Sequence, residues 1–186
     1  MEVERLLTLE EYEALPDDGS HAELLRGRLQ SGPPLDDDAG RFLRRLSALM
    51  DTDRSAAGTG RLVRGAHFLL SVDPPTILSP ALAYVTREHL PRPGARHLTG
   101  APDLAVEIAY RPEHSEALHD RALEYIDAGA RAVWVVEADQ ERVSVYQNGR
   151  GVTVRARGDI LDADVLLPGL LVPVADLFRE SPTAEV

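Results

Sequence analysis

A carboxylate inside an apolar strand is costly to bury unless something neutralises it. Glu107, in the run Leu104-Ala105-Val106-Glu107-Ile108-Ala109, is the clearest such residue in the chain. Strand alternation places Ala105 and Ala109 on its face, and these small side chains leave room beside it for an ion, a water or an arginine. Arg121 is the natural partner, because it lies three residues after Leu118 and four before Tyr125, at the edge of an apolar helical stripe. Two plainer readings stand beside this one. Glu107 and Arg121 could form a buried pair with no chemistry attached, or Arg121 could run its stem along the helix edge and leave its head in water. Glu23, in Ala22-Glu23-Leu24-Leu25-Arg26-Gly27, says less by itself, since a glutamate beside a hairpin is usually exposed.

Other chemistries find little support. His114 and His119 are five apart, not the four that a helical metal pair requires, and read as surface residues; His21, His67, His89 and His97 have no companions at ligand spacing. Asp103 is four residues before Glu107 on the same strand face, which puts it ~13 Å away, too far to share an ion. Arg41, Arg44 and Arg45 fall on one helical face, as phosphate contacts would require, and equally as a solvated face would. The chain has no Gly-rich phosphate loop, no Gly-x-Ser-x-Gly elbow and no aromatic stacking platform.

With no cysteine, disulfides, zinc-thiolate sites, iron-sulfur clusters and thiol nucleophiles are excluded together. All 20 basic residues are arginine, so no lysine is available for chemistry that needs an ammonium group. A net charge of −11 repels nucleic acid at long range, which argues against a constitutive DNA binder. Between His21 and Arg64, however, 8 arginines outnumber 6 acids. The acidic, amphipathic start is unlike a signal peptide and no run is apolar enough to cross a membrane, so a cytoplasmic protein is expected.

The elements that would position these residues follow from pattern. At 186 residues one domain over 1–180 is expected, with a loose tail at 181–186. Thr8 and Glu11 have the capping-box spacing, which predicts a short helix ended by Pro16. A hairpin is expected around Gly27. After the loop Ser31-Gly-Pro-Pro-Leu-Asp-Asp-Asp comes a helix, Ala39 to Asp51, burying Phe42, Leu43, Leu46 and Leu49. From Thr59 to Val85 two strand-like runs flank Val72-Asp-Pro-Pro, whose prolines cannot donate to a ladder and mark a hairpin turn. Pro102 to Tyr110 reads as a buried central strand. The next helix buries Leu118, Ala122, Tyr125 and Ile126 and ends at Gly129. Paired strands Arg131–Asp139 and Arg142–Gly149 follow, then a short strand, a Pro-Gly turn and a terminal helical turn. Strand, helix and strand around Glu107 to Val136 form a crossover, while the flanking runs are hairpins, so the fold class is α/β with a mixed sheet flanked by helices.

Five blocks in order, LTLEEYEALPDDGSHAELLRGRL, SPALAYVTREHL, APDLAVEIAYRPE, DRALEYIDAGARAVWVVEADQERVSVYQNG and LPGLLVPVADLF, resemble the Uma-two family of restriction endonucleases in the PD-(D/E)XK nuclease superfamily. The resemblance covers nearly the whole chain. It implies a restriction-endonuclease-like core, a homodimer and Mg²⁺-dependent hydrolysis of DNA. In such enzymes an Asp following a Pro and a Glu on the next strand hold the metal, a Lys helps activate the attacking water, and an earlier Glu completes the site. Carried over, the earlier Glu matches Glu23, the Pro-Asp pair matches Pro80-Ala81, the strand Glu matches Glu107, and the Lys, displaced onto the following helix, matches Arg121. Two positions depart. The methyl group of Ala81 cannot coordinate a metal, and Arg121 is a permanent cation and a poor base. The expectation is an endonuclease-family domain with impaired cleavage, or a silent one serving as a binding or scaffold module, with Glu23 and Glu107 the remaining metal ligands and Arg41, Arg44 and Arg45 the nucleic-acid contacts.

Overall fold

The computed structural model describes residues 5–16, 22–31, 37–51, 60–90, 96–109, 112–162, 166 and 170–179. His21, the aspartate-rich loop, the Pro168-Gly169 turn and the tail lie outside them.

Helix α1 (Leu9–Glu13) starts as its capping box dictates, with the Glu11 N–H donating to Thr8 Oγ1 at 3.2 Å and the Thr8 N–H donating to Glu11 Oε2 at 2.9 Å. Strands β1 (Ala22–Leu25) and β2 (Arg28–Ser31) form the hairpin expected around Gly27. Its two turn residues, Arg26 and Gly27, have φ of 50° and 81°, the left-handed pair that a two-residue hairpin favours. Helix α2 (Asp37–Asp51) buries Phe42, Leu43 and Leu46 as read, but Met50 is the fourth buried residue, and Leu49 packs only partly against the same cluster.

Where the sequence suggested two strands there are four: β3 (Gly60–Val63), β4 (Phe68–Val72), β5 (Pro75–Leu78) and β6 (Leu82–Thr86). The Asp73-Pro74 turn joins β4 to β5 as predicted. The extra break at Ser79-Pro80-Ala81 has a topological cause, because β5 and β6 belong to different sheets and these three residues carry the chain across. Pro80 therefore sits where no ladder needs its missing N–H.

The chain continues with β7 (Leu98–Thr99), β8 (Leu104–Ala109), α3 (Pro112–Asp127), β9 (Ala132–Glu137), β10 (Arg142–Gln147), β11 (Gly151–Ala156), β12 (Ile160–Asp162), β13 (Leu171–Pro173) and α4 (Val174–Leu177). One sheet runs β2-β1-β5-β4-β7 and the second runs β11-β10-β9-β8-β6-β3, with β12 and β13 paired apart. The six-stranded sheet is mixed: β8 and β9 are parallel through the α3 crossover, and its other pairs are antiparallel. Strand β11 was not anticipated; it is an edge strand exposed at every residue, so burial imposed no apolar pattern on it.

Alternation along β8 and β9 divides the core. Leu104, Val106, Trp134 and Val136 pack on one face with α2, β12, β13 and α4. Ala105, Ala109, Val133 and Val135 pack on the other with Leu118, Ala122 and Tyr125 of α3. Among the described residues no helix is long and apolar enough to cross a membrane.

Candidate functional site

Glu107 lies within β8, between β6 on one side and β9 on the other. All six residues of that strand are buried. Its alternation with Ala105 and Ala109 points it toward α3, the direction read from the sequence. Helix α3 is fixed at its far end by Gly129, at φ 102°, and by the Ala130 N–H donating to Tyr125 O at 2.9 Å, the closing bond expected of a glycine-terminated helix. This places Arg121 over the sheet, on the same side as Leu118, Ala122 and Tyr125.

Arg121 reaches a space enclosed by three parts of the fold. Its Nε donates to Glu107 Oε1 at 3.0 Å and its Nη2 to the same oxygen at 2.8 Å. Nη1 donates to Glu23 Oε2, and Nη2 also reaches Glu23 Oε1 at 3.0 Å. Glu23 Oε1 is held from the other side by the Ser79 N–H at 2.6 Å, while Ser79 O lies 3.4 Å from Arg121 Nη2. Glu23 and Glu107 are completely buried and Arg121 is 4% exposed. Two expectations are corrected here: Arg121 does not hold its head in water, and Glu23 is not an exposed hairpin residue, whereas the buried Glu107–Arg121 pair is present as one reading had it. Arginine suits the position because its planar fork serves two carboxylates at once, which a lysine ammonium does less well.

The charges do not balance, since two carboxylates share one guanidinium. Burial pushes the Glu107 carboxyl above its usual range, and the nearby Glu23 charge adds to this, against the pull of Arg121. Arg121 stays charged; burial opposes its charge, but Glu107 and Glu23 hold it well above the ordinary arginine value. Tyr125, one turn after Arg121, is fully buried, and burial together with the Glu107 charge raises its phenol well above the usual value. Among the described residues, neither Glu107 Oε2 nor the Tyr125 hydroxyl has a partner at full hydrogen-bond geometry, and the two groups bear on each other. Sequence reading took Tyr125 for core alone; its position four residues after Arg121 on one helical face was the available signal.

Ala81 follows Pro80 in the link between sheets. The β6–β8 register pairs Leu82 with Val106 and Ala83 with Ala105, and Ala81 itself precedes the ladder. The Ala81 side chain packs with the apolar cluster of Phe42 and Leu82 and provides no donor. These residues do not fit a divalent ion. Three of the four carboxylate oxygens of Glu23 and Glu107 are taken by Arg121, and Glu23 Oε1 also by Ser79. Mg²⁺ needs near-octahedral oxygen ligands, and among the described residues no three His, Asp or Glu side chains are grouped to hold a metal.

The remaining predicted residues lie elsewhere. Arg41 and Arg44 are exposed on α2, and Arg45 is half-buried. Asp103 caps a different junction, accepting from the Thr86 N–H at 2.8 Å and lying 3.1 Å from His89 Nδ1. His119 is not a plain surface residue: its Nδ1 is 2.6 Å from the Tyr146 hydroxyl and its Nε2 3.8 Å from Glu137. Glu137, buried at the end of β9, accepts two bonds from Arg142, at 2.7 and 2.8 Å, and one from Ser115 at 3.1 Å. The Arg142 bonds chiefly hold its carboxyl below the usual range. A charge ending an apolar strand was the same signal that marked Glu107, and sequence reading passed over it.

The family described as "Uma2: Putative restriction endonuclease" matches residues 9–175. The chain belongs to the Uma2 family. Among solved structures, this Uma2 chain is similar to one titled a putative nuclease belonging to DUF820 from Anabaena variabilis. The two share 18% identity at a TM-score of 0.83, over 92% of this chain and 97% of that one. At that identity the likeness speaks for the fold, which is the nuclease-like α/β architecture expected. No curated protein matches the chain.

Proposed function

We propose that this Uma2 domain is a catalytically silent nuclease fold, serving as a binding or scaffold module, in which the Arg121 guanidinium stands where the family's chemistry calls for a metal ion. The observation that carries the reading is the single guanidinium bridging Glu23 and Glu107. A cation so held neutralises carboxylates but delivers neither an activated water nor a base, because arginine does not give up its proton near neutral pH. Ala81 removes the remaining ligand. DNA is the proposed partner, contacted weakly through the exposed face of α2 that carries Arg41 and Arg44, and the assembly is a homodimer.

A second reading, weak cleavage with Mg²⁺, draws on one observation: Arg121 leaves Glu107 Oε2 uncontacted, with the Tyr125 phenol the group that bears on the carboxylate. Incubation of supercoiled plasmid with purified protein and Mg²⁺ or Mn²⁺, beside Glu107→Gln, separates the two. Silence predicts the same absence of nicking in both proteins. Cleavage by the natural sequence that disappears in Glu107→Gln overturns it. An Ala81→Asp, Arg121→Lys double variant that gains metal-dependent cleavage locates the defect at those two positions.

A further inference from the structure

On the face of the six-stranded sheet opposite α3, the β10–β11 hairpin and β12 enclose a half-open cavity of about 160 Å³ lined by Val145, Gln147, Arg150, Thr153, Arg155 and Asp162 over a floor of Leu161. Cross-strand register explains the convergence. Val145 faces Thr153, Val143 faces Arg155 and Gln147 faces Gly151, so Gln147, Thr153 and Arg155 stand on one side of the hairpin. Arg150 is set in the turn, where its N–H donates to Gln147 O at 3.0 Å between the left-handed Gly149 and Gly151. The buried Val145 and Leu161 belong to the large core cluster, which makes the floor rigid.

Other arginines of this hairpin region are paired, Arg142 with Glu137 and Arg157 with Glu141. Among the described residues the guanidinium groups of Arg150 and Arg155 make no hydrogen bond or ion pair, although acids outnumber arginines 31 to 20 in the chain. Asp162, the one acid of the lining, is itself engaged in an interaction. Two uncommitted guanidinium groups, an amide and a hydroxyl thus converge on one concavity. That donor set matches a tetrahedral oxyanion with several acceptor oxygens, which guanidinium forks bind in bidentate fashion. The space is adequate, since a cavity of about 150 Å³ holds a guest the size of benzene.

We infer that this cavity is a binding site for a terminal phosphate group, read by Arg150 and Arg155 with Thr153 and Gln147 as further donors. The inference does not depend on whether the Glu107 site cleaves DNA. The group could arrive on a free nucleotide or at the end of a DNA strand, and the chemistry recognised is the same.

The test is titration of the full chain, at constant ionic strength, with inorganic phosphate, a nucleoside 5′-monophosphate, and an oligonucleotide with and without a 5′-phosphate, followed by backbone and arginine side-chain NMR. Saturable shifts at Gln147, Arg150, Thr153 and Arg155 are expected, weakened about tenfold or more in an Arg150→Ala, Arg155→Ala variant. Arg155→Lys, which keeps charge but loses the fork, should lie between them. Arg61→Ala, Arg64→Ala should bind as the natural sequence does. Tighter binding of the free nucleotide or of the phosphorylated strand identifies the source. Absence of shifts at these residues with every probe, or equal shifts in the double-alanine variant, overturns the assignment; both positions are exposed, so these substitutions leave folding intact.

Discussion

At Arg121 a single side chain neutralises two buried carboxylates, and removing it would leave both of them facing each other without water. Arg121→Met should destabilise the protein by about 3–5 kcal/mol, the cost typical of breaking a buried ion pair on one side only, read from urea unfolding at neutral pH. Glu107→Gln should behave differently. The folded-state carboxyl of Glu107 lies above its ordinary value of 4.5, so its favourable contribution is present below pH 4.5 and is lost as pH rises through the folded-state value. Glu137 has the opposite sign: held below 4.5 by Arg142, it contributes above that pH and loses the contribution as pH falls through its lowered value. The stability of Glu107→Gln relative to the natural sequence should therefore rise as pH climbs from 4.5, measured by unfolding at a series of pH values. A difference that shrinks would contradict the raised carboxyl. The sequence made Glu107 and its partner legible because a charge amid Leu, Ala, Val and Ile has few affordable explanations. Glu23 became legible only through the family resemblance, since nothing in Ala-Glu-Leu-Leu tells which face of a hairpin is covered by a distant helix.

Among the elements, β3 depends on Gly60. A Cβ added there would come within 2.5 Å of Val85 O and 2.6 Å of the Tyr84 ring, too close for any real contact. The strand should thus detach from β6 in Gly60→Ala, seen as loss of amide protection at Arg61 and Val63 while β8 and β9 keep theirs. Capping box, turn glycines and the crossover helix were all readable locally, because each depends on residues within one turn or one hairpin of each other. The division of Gly60–Thr86 into four strands was not. Whether Leu78 and Leu82 lie in one sheet or two is decided by partners, Leu24 and Ile77 on one side and Val106 with Leu82 on the other, that are far apart in the chain. Ser79-Pro80 signalled a break but not its destination. Strand β11 left no burial signature because it has no covered face.

For the molecule as a whole, the ion-pair triad joins three bodies: Glu23 from the five-stranded sheet, Glu107 from the six-stranded sheet and Arg121 from α3, with the Ser79 amide of the connecting link bound to the same carboxylate. Hydrogen exchange on Arg121→Met should show β1 and β5 losing protection by a larger factor than β8 and β9, because the smaller sheet has the fewer anchors left. Uniform loss across both sheets would indicate that apolar packing alone couples them.

The arginine clasp also limits which single exchanges the fold tolerates. A lysine at 121 would give up the fork that reaches both glutamates, and an aspartate at 81 would set a charge among the apolar neighbours that Ala81 now touches. Each exchange made alone lowers stability, so the clasp that joins the two sheets also makes its own surroundings resistant to stepwise change.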